Sequence, residues 1–103
     1  MMQHSDAIDM LESEWSTDGG FFWRVRHGSF DPTEFQRALR KISTLSFEDE
    51  ACVPRRVVSL LWYVPSFLQW QVERVQETGG DVAAYTQAIT VMTNEIERLL
   101  GTP

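Results

Sequence analysis

Pro54-Arg55-Arg56-Val57-Val58-Ser59-Leu60-Leu61-Trp62-Tyr63-Val64-Pro65 is the stretch on which the fold turns. From Val57 to Val64 only Ser59 interrupts the apolar residues, so the segment does not alternate as a half-buried strand would, and its apolar positions surround a helix. The reading is a central helix buried on most sides, opened by Pro54 and extended toward Thr78 through Phe67, Leu68, Trp70, Val72 and Val75. Pro65 removes one backbone donor and crowds the preceding turn, which predicts a kink or short break there. A stretch of eight residues is too short to cross a bilayer as a helix.

On either side the start and stop signals are helical. Asp31-Pro32-Thr33-Glu34 supplies a cap acceptor, a proline at the first helical position and a glutamate at the third, able to return a hydrogen bond to the cap. Phe30 and Phe35 are spaced as a hydrophobic staple around that cap, and Phe35, Leu39, Ile42 and Leu45 mark the buried stripe. Ser46 to Val53 is a connector. Gly79-Gly80 ends the central segment, Asp81 caps the last helix, and Val82, Tyr85, Ala88, Ile89, Met92, Ile96 and Leu99 keep the helical period up to Gly101. Ser5 to Trp15 places Ile8, Leu11 and Trp15 on one face. Residues 21–27 admit two readings: Trp23 and Val25 alternate with Arg24 and Arg26 as in a strand, but no second alternating run exists to pair with them. Helix is favoured, with Asp18 as its cap and Gly28 as its left-handed stop. The whole predicts an all-α fold: one domain over residues 1–103, a compact bundle of four to five helices around a central apolar helix (about 54–78) with a proline kink.

The chain has 103 residues, a formal net charge of −6 and a single cysteine, Cys52. Its length suits one domain, and four Trp, six Phe and two Tyr supply large apolar surfaces for a core. One cysteine excludes an intramolecular disulfide and a cysteine-based zinc site. The first twenty residues carry five acids and no Lys or Arg, unlike a secretory leader, so a cytoplasmic location is expected.

No arrangement of residues announces catalysis. His4 and His27 are not paired at helical spacing. Glu48, Asp49 and Glu50 would raise the Cys52 thiol pKa rather than activate it. Those three consecutive acids also lack the spacing and central glycine of a calcium loop. Gly19-Gly20 lacks the lysine and the preceding strand of a phosphate loop. The expectation is a non-enzyme with no cofactor and no metal.

Charge is distributed unevenly. Residues 21–45 hold Arg24, Arg26, Arg37, Arg40 and Lys41 against only Asp31 and Glu34, directly after the acidic first twenty. Internal docking of the acidic stretch on the basic one accounts for this more simply than an RNA surface built from these arginines with Phe21, Phe22 and Trp23. Overall acidity disfavours nucleic acid and suits a basic protein partner. The candidate partner-binding residues are Asp9, Glu12, Glu14 and Asp18, then Glu48, Asp49 and Glu50. Trp70 joins them as the central aromatic best placed for exposure, since tryptophan is enriched at interface hot spots. Trp62, Tyr63 and Phe67 are read as core.

About a hundred residues, acidic and rich in aromatics, with segments such as Phe22-Trp23-Arg24-Val25-Arg26-His27-Gly28-Ser29-Phe30-Asp31, the chain resembles the small cytoplasmic immunity proteins of bacterial contact-dependent growth inhibition and related polymorphic-toxin systems. That resemblance implies a toxin inhibitor that binds a cognate toxin domain, often a nuclease, and occludes its basic active site. Two other readings stand beside it: a helical adaptor or regulatory subunit with a non-toxin partner, and a small-molecule-binding helical domain built on the aromatic centre.

Overall fold

The computed structural model describes residues 4–48 and 50–103. These form seven helices in chain order: α1 (His4–Ser16), α2 (Phe21–Arg26), α3 (Pro32–Ser43), α4 (Arg55–Trp62), α5 (Val64–Trp70), α6 (Val72–Glu77) and α7 (Val82–Leu100). There is no strand among the described residues. The fold is therefore all-α. The central segment is one helical path broken into α4, α5 and α6, so five such paths pack together. Every helix contributes to one apolar core, from Leu11 and Phe22 through Ile42, Leu61, Leu68 and Val75 to Met92. No described helix is long and apolar enough to cross a membrane.

The strand-or-helix ambiguity at residues 21–27 resolves to helix. Phe21, Phe22 and Val25 are buried at the i, i+1, i+4 positions of α2. The end of α2 follows the expected glycine stop. Gly28 takes φ 87°, its N–H donates to the Val25 carbonyl, and the Ser29 N–H donates to that of Arg24. At the other end the expectation fails. Asp18 does not cap α2. The N-cap is Gly20, which has no side chain, and the Phe21 N–H instead donates to a Glu14 carboxylate oxygen at 2.8 Å. A Cβ on residue 20 would lie 2.4 Å from the backbone oxygens of Ser13 and Glu14, so only glycine lets α1 and α2 approach this closely.

Glu14 is the one buried charged side chain among the described residues, 1% exposed. Arg37 of α3 grips it with two parallel hydrogen bonds of 2.7 and 2.8 Å and also binds Glu34 at 2.9 Å. Burial by itself would raise the Glu14 carboxyl. The hydrogen bonds from Arg37 and the Phe21 N–H, together with the Arg37 charge, outweigh it and hold the group below its ordinary range. Donating those bonds to Glu14 in turn raises the pKa of the Arg37 guanidinium. Glu34 is thereby drawn away from the capping box expected of it. Asp31 alone caps α3, accepting from the Thr33 N–H at 2.8 Å. Phe30 and Phe35 do meet across that cap, 6.4 Å between ring centroids.

Two residues before Pro65 the helix is interrupted, with Tyr63 between α4 and α5, and it is interrupted again at Gln71. The second break serves a purpose in the core. The Leu68 carbonyl, at the end of α5, accepts a 2.7 Å hydrogen bond from the buried Tyr85 hydroxyl of α7. Burial pushes that phenol well above its usual pKa. Trp15 of α1 similarly donates to the Leu60 carbonyl of α4 at 3.0 Å. Both bonds let a large aromatic fill the core without burying an orphan polar group.

Candidate functional site

The central segment is not buried all round, which corrects the sequence reading. Val57, Leu60, Leu61 and Val64 face the core at the i, i+3, i+4, i+7 positions, while Arg55, Ser59, Trp62 and Ser66 form an exposed opposite stripe. Trp62 is 60% exposed and Trp70 67% exposed. Tyr63, half-buried at the α4–α5 break, touches both: each tryptophan ring lies edge-on to it with centroids 5.6 Å apart. The result is a ledge of three aromatic rings held by the break that Pro65 imposes. Trp70 is exposed as the sequence suggested. Trp62 was missed, although its polar stripe-mates Arg55, Ser59 and Ser66 signalled its direction.

Tyr63 also borders an open surface cleft of about 450 Å³ between α1, α2 and α4. Trp15 and Trp23 form its apolar part, and Arg26, Arg56, Ser16 and Ser59 its polar part. Arg26 lays its guanidinium over the Trp15 and Phe67 rings, 5.8 and 5.5 Å from their centroids. It has no carboxylate partner among the described residues. Arg56 pairs with Glu12 of α1 at 3.5 Å, both side chains about half exposed. Trp62 does not line the cleft, and the cleft is open and polar rather than an enclosed apolar cavity.

The predicted acids divide three ways. Glu14 is buried in the α1–α2–α3 junction and offers nothing to a partner, because its carboxylate oxygens are already taken by Arg37 and Phe21. Asp9 and Asp18 are exposed, Glu12 is partly committed to Arg56, and the Asp18 carbonyl accepts from Arg24. Glu48 and Glu50 are exposed on the connector between α3 and α4; Asp49 lies outside the described residues. The expected internal docking of acids on arginines therefore occurs at Glu14–Arg37 but recruits Arg56 for Glu12, outside the basic stretch. Arg24, Arg26, Arg40 and Lys41 have no ion pair among the described residues.

Nothing in the described residues assembles a metal centre: no group of three His, Cys, Asp or Glu side chains converges. Cys52 is exposed. His27 is exposed too, stacked on Trp23 at 4.1 Å, with Nδ1 2.8 Å from the Trp23 carbonyl oxygen. No family model, curated protein or solved structure matches the chain.

Proposed function

We propose that this chain is a protein-binding inhibitor of the immunity type, which docks on a cognate toxin domain and covers its basic active site. The observation that carries the protein-binding part is the exposure of Trp62 and Trp70 around Tyr63. Their rings remain in water while most of the other large apolar side chains join the core, and tryptophans that give up such exposure on binding are the commonest interface anchors. The net charge of −6, with Glu48 and Glu50 exposed on the α3–α4 connector, supports a basic partner drawn in by long-range attraction. Asp9 and Asp18 add to that field from α1 and the turn after it.

The test is co-expression with the product of a neighbouring toxin-domain gene. Protection of growth and co-elution of the two proteins are expected. Trp62→Ser with Trp70→Ser should weaken the complex by about 30-fold or more. Glu48→Lys with Glu50→Lys should slow association at low salt and matter little at high salt. Growth inhibition that persists, or affinity and on-rate indifferent to both pairs of changes, overturns the proposal.

A further inference from the structure

The ledge and the cleft share Tyr63, and together they specify a ligand chemistry that the overall acidity of the chain does not suggest. We infer that the Trp62–Tyr63–Trp70 ledge and the Arg26/Arg56 cleft form one docking site for a segment of a partner protein in which a carboxylate lies close to a large apolar side chain. This rests on the protein-binding reading above but not on the acidic residues or on a toxin partner.

Three observations carry it. Arg26 is exposed, holds its guanidinium over the Trp15 and Phe67 rings, and has no carboxylate partner among the described residues. A guanidinium held against aromatic rings with no hydrogen-bond acceptor of its own loses little freedom when it donates to a planar anion. Arg56, which α4 brings to the same cleft, already holds a carboxylate, that of Glu12. At 3.5 Å between two half-exposed side chains that contact is loose, so an incoming carboxylate can replace it at little cost. The charge complementarity is thus visible within the molecule: one of the two arginines that line the cleft already attracts an acid of its own chain. Finally, Tyr63 makes the apolar ledge continuous with the cleft, so one short segment can place an apolar side chain against Trp62 or Trp70 and an acidic one in the cleft that the arginines line.

A single-stranded nucleic acid would also use aromatic rings and arginines. It would bring a charge at every nucleotide toward a protein of net charge −6 that offers two arginines here. One carboxylate on an otherwise apolar segment needs only those two.

The experiment pans a random peptide library on the full chain and titrates the recovered peptides. Enrichment of Asp or Glu near aromatic or aliphatic residues is expected. The best peptide should lose about 10-fold or more in affinity when its acid is changed to the amide, and similarly with Arg26→Gln plus Arg56→Gln or with Trp62→Ser plus Trp70→Ser. Circular dichroism of each variant verifies its fold, and the amide peptide on the wild-type chain needs no variant at all. Enrichment of Lys and Arg, no enrichment, or an amide peptide that binds as well as the acid overturns the inference. Oligouridylate that binds more tightly than the peptide, and is lost in the same variants, overturns it in favour of nucleic acid. Failure here with a stable toxin complex removes this site while leaving the proposed function standing. Success without toxin binding does the reverse.

Discussion

Glu14 and Trp62 occupy each other's expected places. The glutamate, on a polar stretch of α1, is buried to 1% exposure; the tryptophan, in the most apolar stretch of the chain, is 60% exposed. The Glu14 junction is saturated: its carboxylate answers two guanidinium N–H groups and the orphan N–H of Phe21, and no buried side-chain polar atom among the described residues is left without a partner. The ledge is the reverse: Trp62 and Trp70 each have a ring contact with Tyr63 alone, and the rest of their apolar surface faces water. A polar group goes inside when tertiary neighbours satisfy every bond it needs. An apolar group stays outside when its helical phase points away from the core, whatever its neighbours in sequence.

The contrast can be broken most forcefully at Glu14. Glu14→Ala leaves Arg37 with Glu34 alone and strips the Phe21 N–H of its acceptor, and should cost about 2–4 kcal/mol in urea unfolding. Its charge also sets an acid limit. Folding favours the ionised carboxylate, so this contribution is fully present above the ordinary value of 4.5 and is lost as pH falls through the lower folded-state value. Glu14→Gln should therefore flatten the fall in stability over that window; an identical acid profile would show that other groups control it. Gly20→Ala tests the same junction through the backbone. With carbonyl oxygens 2.4 Å from the new methyl, α1 and α2 must separate, at about 1–3 kcal/mol, and thermal melting would register the loss.

Smaller effects sharpen the comparison. Tyr85→Phe removes the hydroxyl from Leu68, but that carbonyl keeps a 3.2 Å bond from the Gln71 N–H, so about 1 kcal/mol is expected from chemical denaturation. Trp62→Ser or Trp70→Ser should each change stability least, by about 1 kcal/mol or less, because most of each ring is in water already. A larger loss would mean that the ledge supports the fold rather than a partner.

What the sequence alone determined is local. Asp31-Pro32, Gly79-Gly80, Asp81 and the period of residues 82–99 placed helices α3 and α7, because caps, stops and stripes act within a turn or two of chain. Gly28 ended α2 for the same reason. The ledge was half legible: Trp70 stands in a polar stretch, but Trp62 is hidden when the seven apolar residues of 57–64 are read as a cylinder, although their phase against Arg55, Ser59 and Ser66 already makes one side wet. Only the tertiary structure decided the rest. Glu14 meets Arg37 across 23 positions of sequence, and Arg26 meets Phe67 across 41, to build a buried anchor and an open cleft. Such pairings depend on which helix packs on which, and whether a charge is buried or offered to a partner is set by the groups that packing brings within hydrogen-bonding distance.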